Sequence, residues 1–253
     1  MVTSPSFTGK TAVMTGASGG IGRATARLLA QSGADLILHG HANRVALESL
    51  VAELQSQHPA MSISTVYADL SIEAEQQRLM DDVSHLCSAP DILVLVAGCD
   101  LMSASMKQLP YNERLARLWQ VDVVSAMRFA RFFGERMKQS HGAIIFFGWD
   151  GVEYGLAGET AQLYAAAKGA VQGFSRSLAQ SLAPEVRVNC VAPGWIKTTW
   201  GETASHTVNE RVVAESLTQR WGTAEEVAEV VRFLASDAAA YINNQTIFVN
   251  GGR

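Results

Sequence analysis

The sequence predicts an α/β fold, a single doubly wound domain over residues 1–253 built on a seven-stranded parallel sheet. Three observations predict it. Short apolar runs alternate with longer amphipathic stretches along the whole chain, as parallel strands joined by crossover helices require. The run DILVLVAG (91–98) is apolar on both strand faces, which fits a strand covered by helices on both sides. No linker or internal repeat interrupts the alternation, so nothing marks a place to cut the chain in two.

The elements follow in order. TAVMT (11–15) reads as the first strand and RATARLLAQ (23–31) as its helix. DLILH (35–39) and RVALESLVAELQ (44–55) repeat the pair, then ISTVY (63–67) and a helical 72–87. After 91–98 come a long helical segment at 112–139, AIIFF (143–147), a helix at 160–182 and VRVNCVA (186–192). A stretch from 194 to 217 has no clear period, a helix is expected at 224–235, and QTIFV (245–249) is the last strand.

Composition narrows the function. With 48% hydrophobic and 17% charged residues the chain can bury a large core, which excludes a disordered binder. A net charge of -4 without a Lys/Arg stripe argues against nucleic acid. Cys87, Cys99 and Cys190 are far apart and form no C-x-x-C, so neither a disulfide framework nor a zinc site is indicated. The N-terminal MVTSPSFTGK has no signal-like apolar run, and no apolar run reaches the roughly 18 residues of a membrane span. The expectation is a soluble, cytoplasmic protein with no membrane partner.

TGASGGIG (15–22) joins the first strand to the first helix through Gly16, Gly20 and Gly22. Glycine there lets backbone N–H groups approach an anion, and the helix adds its own uncapped N–H groups and positive dipole end. A dinucleotide pyrophosphate suits such a turn, although the spacing G-x-x-x-G-x-G differs from the commoner G-x-G-x-x-G.

With these residues, Asp69-Leu70 after the third strand, Ala97-Gly98 after the fourth, Tyr164-x-x-x-Lys168, Pro193-Gly194 after the sixth and NNQTIFVNGG near the end, the chain resembles the short-chain dehydrogenase/reductase family along nearly its whole length. AAAKGAV and RVNCVAPGWIKT look most like its 3-oxoacyl-thioester-reductase and sugar-dehydrogenase-like branches. The resemblance implies a Rossmann-type domain with a nicotinamide cofactor held by Gly16, Ser18, Gly20, Ile21, Gly22, Asp69, Leu70, Ala97, Gly98, Pro193, Gly194, Ile196 and Thr198. It also implies a substrate lid at 194–217 and assembly into a homotetramer or homodimer through the C-terminal strand.

The second strand ends in LHGHANR with no Asp or Glu to accept ribose hydroxyls. Asn43 and Arg44 could bond and neutralise a 2′-phosphate there, so NADP(H) is preferred and NAD(H) stays open. His39 and His41 invite a metal reading, but no metal site is expected there.

Tyr164 and Lys168, four apart, share a helix face. The resemblance makes Tyr164 the acid that protonates a carbonyl oxygen and Lys168 the cation that tunes it and holds the nicotinamide ribose. Three departures stand against the family pattern. The serine expected after the fifth strand is absent: one count places its slot at Trp149, another at Gly151, and neither bears a hydroxyl. Asp150, between them, is expected in a solvated turn, with a role as a protonated substitute or a water-orienting group as the alternatives. Asp122 stands where the family has a relay asparagine, and on reaching Lys168 it would offset that cation's effect on Tyr164. Leu95-Val96 replaces paired asparagines, a change in strand packing.

The expectation is therefore an oxidoreductase moving hydride between nicotinamide and a small carbonyl or alcohol substrate, such as a 3-oxoacyl thioester, with Trp149, Trp195 and Trp200 available as an apolar pocket wall. A catalytically silent NADP-binding regulator is the alternative, and a lyase or epimerase using Asp150 or Asp122 as base is the third.

Overall fold

Alternate residues of the first strand leave it for opposite cores. Val13 packs with one cluster of buried residues, while Ala12 and Met14 pack with another. The computed structural model, which describes residues 5–198, 201 and 204–253, extends this arrangement across seven parallel strands in the order β3-β2-β1-β4-β5-β6-β7. They are β1 (Thr11–Thr15), β2 (Asp35–Gly40), β3 (Ile63–Tyr67), β4 (Ile92–Leu95), β5 (Ala143–Phe147), β6 (Arg187–Pro193) and β7 (Thr246–Val249).

One face is covered by α1 (Gly20–Gln31) and α2 (Arg44–Gln57), which contribute Leu29, Leu47, Leu50 and Leu54 to the same core as Ile92 and Val94. The opposite core joins Leu93, Leu95, Ile144 and Phe146 to Leu79 and Val83 of α3 (Glu73–Leu86). The central strand is thus apolar on both faces because both are buried, and a side chain such as Leu93 contributes about 1.5–3 kcal/mol by leaving water. Leu95 lies in one core and Val96 against the other, so their exchange for asparagine is a packing change.

The segment expected as one helix over 112–139 follows a short α4 (Ala104–Lys107) and is interrupted. Between α5 (Tyr111–Leu118) and α6 (Ser125–Met137) the residues Trp119–Val124 form a π-helical turn, in which the Ser125 N–H reaches the carbonyl of Gln120. Apolar periodicity does not register this widening. A four-residue helix, α7 (Gly151–Tyr154), precedes α8 (Glu159–Leu182).

The 194–217 stretch, expected to be irregular, contains α9 (His206–Glu215), capped by the Ser205 hydroxyl on the Val208 N–H. Thr199, Trp200, Glu202 and Thr203 lie outside the described residues. The expected 224–235 helix is α10 (Ala224–Ala235), fixed at its start by a reciprocal Thr223–Glu226 capping box; Val227, Val231 and Leu234 enter the same core as α1.

Candidate active site

β1 and β4 pair up to Thr15 and Leu95. This is where strand order reverses, and in open parallel sheets ligands enter at the carboxyl ends of strands at such a point. Gly16 turns the chain here with φ +73°, and a Cβ on it would stand 2.6 Å from Ala97 Cα. A Cβ on Gly22 would stand 2.2 Å from the Gly16 carbonyl oxygen. The tight turn therefore requires glycine at both positions. No side chain caps α1, whose N-cap is Gly19, which leaves the N–H groups at Gly20, Ile21 and Gly22 to meet an anion. Ser18 is half-buried on the same turn, and the Ile21 side chain packs inward. Thr198 closes over the turn, its Cγ2 3.1 Å from where a Gly20 Cβ would be. These features fit a dinucleotide pyrophosphate.

His39 holds this turn from below. Its Nδ1 accepts the Gly16 N–H at 3.2 Å, and its Nε2 lies 3.1 Å from the Ala68 carbonyl, to which it donates. Burial pushes the imidazole down to about 4, so it is neutral with its proton on Nε2. His39 is thus a strut between three strand ends. Nothing in its sequence position signalled that role.

At the far end of the crevice, Asn43 caps α2 by accepting the Ala46 N–H, and the Arg44 guanidinium stacks 4.2 Å from the Tyr67 ring centre. Asp69 accepts the Ser71 N–H at 2.8 Å and faces His41 and Arg117 at 3.6 and 3.8 Å. Burial opposes its charge, but these partners together hold the carboxyl below its ordinary range. Leu70 is buried, with its carbonyl accepting from Gln76 at 2.6 Å, and Ala97 donates its N–H to Thr15 at 3.3 Å. Pro193 and Gly194 end β6; Gly194 donates to Val249 at 3.0 Å. Ile196 is a core side chain.

Tyr164 and Lys168 stand one turn apart on α8, with the Lys168 Nζ 5.3 Å from the Tyr164 ring centre. Lys168 is buried, and its Nζ meets Asp122 Oδ2 at 2.8 Å. The π-helical turn carries Asp122 inward, and its Oδ1 accepts the Cys99 N–H at 2.7 Å. Burial works against the ammonium, yet the Asp122 carboxylate outweighs it and holds Lys168 firmly protonated. Burial raises the Tyr164 phenol, Lys168 draws it back, and Asp122 opposes Lys168, so the net direction is upward. Lys168 was expected to lower it, with Asp122 as a partial offset; burial, the larger cause, and Asp122 together outweigh Lys168.

The serine slots are occupied differently. The Trp149 indole meets Tyr164 edge to face, ring centres 5.4 Å apart at 64°. A Cβ on Gly151 would collide with that indole at 2.5 Å. Asp150 is buried, which overturns the solvated-turn expectation: its N–H donates to the Pro193 carbonyl, Oδ2 lies 3.4 Å from Asn250 Nδ2 and 3.7 Å from Arg253, and Oδ1 has no hydrogen-bond partner among the described residues. These partners belong to the C-terminal segment, and Arg253 also reaches Glu215 of α9 at 2.9 Å. Trp195 donates to Glu215 and packs edge-on against Trp221, 5.9 Å between centres; Trp200 lies outside the described residues.

Gln172, missed from the sequence, donates to the Trp149 carbonyl at 3.2 Å. It follows Lys168 by four residues on the face that carries Tyr164, and that spacing was the signal available. Arg253 had none.

A glycine turn at the carboxyl edge of a parallel sheet, with a tyrosine–lysine helix at the same edge, is the arrangement of a Rossmann-type domain of the oxidoreductase class. The chain belongs to the short-chain dehydrogenase/reductase family: the family model described as enoyl-(acyl carrier protein) reductase matches residues 16–253. Nodulation protein G of Rhizobium sp. (strain N33) is 38% identical over 252 residues, with 97% of each chain covered. The 3-oxoacyl-(acyl-carrier-protein) reductase FabG of Escherichia coli (strain K12) is 35% identical over 250 residues, covering 97% of this chain and 98% of its own. Among solved structures, L-sorbose reductase from Gluconobacter frateurii, complexed with NADPH and L-sorbose, superimposes with a TM-score of 0.87 at 27% identity, over 99% of this chain and 98% of that one.

Proposed function

We propose that the protein is an NADP(H)-dependent carbonyl reductase acting on a 3-oxoacyl thioester or a similar small oxo compound. The observation that carries this reading is the Tyr164–Lys168 pair at the edge where the glycine turn opens, with the phenol held in its protonated form. Bound there, the reduced nicotinamide supplies hydride to the carbonyl carbon. Tyr164 holds the proton that the carbonyl oxygen takes up, and the buried Lys168 ammonium stands behind it.

NADP(H) is favoured because β2 ends without a carboxylate, while Arg44 and the start of α2 supply a cation and backbone donors for a 2′-phosphate. FabG-like relatives support the thioester class. The segment 194–217, tied to the C-terminal residues through Glu215 and Arg253, serves as the substrate lid. Exposed Phe248, Phe233 and Tyr241 near the β7 edge favour a homotetramer or homodimer. Asp122 and Asp150 each face a cation, which disfavours either as the free base of a lyase or epimerase.

The test is NADPH oxidation with 3-oxoacyl thioesters, diketones and ketoses, run beside Tyr164→Phe. Substrate-dependent oxidation that falls about 10²–10⁴-fold in Tyr164→Phe, with NADPH binding unchanged, is the expected result. Tight binding with no oxidation of any substrate would favour the silent regulator.

A further inference from the structure

Every element packed against Tyr164 contributes to its charge environment. From α8 comes the Lys168 ammonium; from the π-helical turn, the Asp122 carboxylate; from the loop after β4, the Cys99 thiol. The loop after β5 presents the uncharged Trp149 ring. On β6, Cys190 faces Lys168. Burial, together with Asp122 in the case of Cys99, pushes both thiols up to about 12, so neither is charged near neutrality.

The cation that acts on the phenol is therefore half of an ion pair. A lone ammonium within about 4–6 Å favours phenolate by roughly 1–3 pH units, whereas a carboxylate 2.8 Å from that ammonium offsets part of that effect. The carboxylate cannot turn away readily, because its other oxygen is fixed by the Cys99 N–H at 2.7 Å and Gly98 leaves no side chain to displace it. A Cβ on Gly98 would stand 3.3 Å from Asp122 Oδ2.

We infer that Asp122 is a positioning residue that clamps Lys168 in an ion pair, so that the ammonium does less to ionise Tyr164, suiting the site to proton donation rather than proton removal. This rests on the reading of Tyr164 as the acid in carbonyl reduction. In that direction the phenolic O–H bond breaks as the substrate gains an O–H bond and takes hydride from the reduced nicotinamide; the electron pair stays on the phenolate, which then recovers a proton from water. In the oxidative direction Tyr164 must already be phenolate, and the clamp moves that condition to higher pH.

The experiment is a tyrosinate titration of the cofactor-free protein by ¹³C NMR of labelled tyrosine, with the Tyr164 resonance assigned by its absence in Tyr164→Phe. The comparison is with Asp122→Asn, which keeps the shape and removes the charge. The Tyr164 midpoint is expected to fall by about one pH unit or more in Asp122→Asn. A resonance that stays protonated until the parent unfolds, but titrates before unfolding in the variant, is the same result. Equal midpoints, a lower midpoint in the parent, or two proteins that both stay protonated until unfolding would overturn the inference. Should Asp122→Asn not fold, Asp122→Ser, which also removes the charge, is titrated in its place with the same outcomes, and a parent midpoint below the roughly 10 of a free phenol overturns the inference by itself. The titration uses no substrate, so its outcome stands apart from that of the NADPH oxidation test.

Discussion

Trp149 and a side chain at Gly151 compete for one space, since a Cβ built on Gly151 stands 2.5 Å from both Cη2 and Cζ2 of the indole. The two positions at which a serine was sought are thus coupled: the residue occupying one dictates what the other can be. Gly151→Ser alone is expected to destabilise the fold by about 1–3 kcal/mol, because the indole has to move off its edge contact with Tyr164. Adding Trp149→Ala removes the obstacle, so the double variant should be more stable than the sum of the single changes by about 0.5–3 kcal/mol. Urea unfolding of the four proteins measures this. Strict additivity would mean that the two residues do not share the space.

What the sequence disclosed, and what it did not, follows from how far apart the interacting residues lie. The strands were legible because each face of a parallel strand is buried, so Leu93 and Val94 are both apolar for independent reasons. The glycine turn and the Tyr164–Lys168 face were legible because each is fixed by spacing within one element. The charge state of the site was legible only as a condition, that Asp122 would offset Lys168 on reaching it. It depends on the Lys168–Asp122 contact between residues 46 positions apart, reached only because six residues adopt a π-helical turn that apolar periodicity does not register. Asp150 was misread for the same reason. A carboxylate in a Gly-rich turn reads as solvated, and its burial comes from Asn250 and Arg253 at the other end of the chain.

His39 makes acid stability a test of the cofactor turn. The imidazole is buried, neutral and held down to about 4, against an ordinary value of 6.5. Between those values the unfolded chain binds a proton that the folded chain refuses. Stability is therefore fully present above about pH 6.5 and is lost as pH falls through about 4, to the extent of about 3 kcal/mol. Below that range a protonated Nδ1 can no longer accept the Gly16 N–H. In His39→Gln an amide can accept from Gly16 and donate to Ala68 without titrating, so its unfolding free energy should change less between pH 7 and pH 4. Equal acid losses in parent and variant would remove His39 from the account.

Asp150 carries the opposite sign. Burial pushes its carboxyl above the ordinary range, and Arg253 and Asn250 draw it only part of the way back. The folded chain therefore holds this proton more tightly than the unfolded chain does. The stability it contributes is fully present below the ordinary carboxylate range, about 3.9 for aspartate, and is lost as pH rises through the folded value. At neutral pH an ionised, half-partnered carboxylate remains in a buried position, with Oδ1 lacking a donor among the described residues. Asp150→Asn removes that charge, retains an oxygen to accept from Asn250, and leaves Arg253 its 2.9 Å contact with Glu215. The variant should gain on the parent at pH 7 and lose that advantage on acidification towards pH 4, as followed by chemical denaturation at both values. A variant equally weakened at both would show that pairing with Arg253 outweighs the cost of burial.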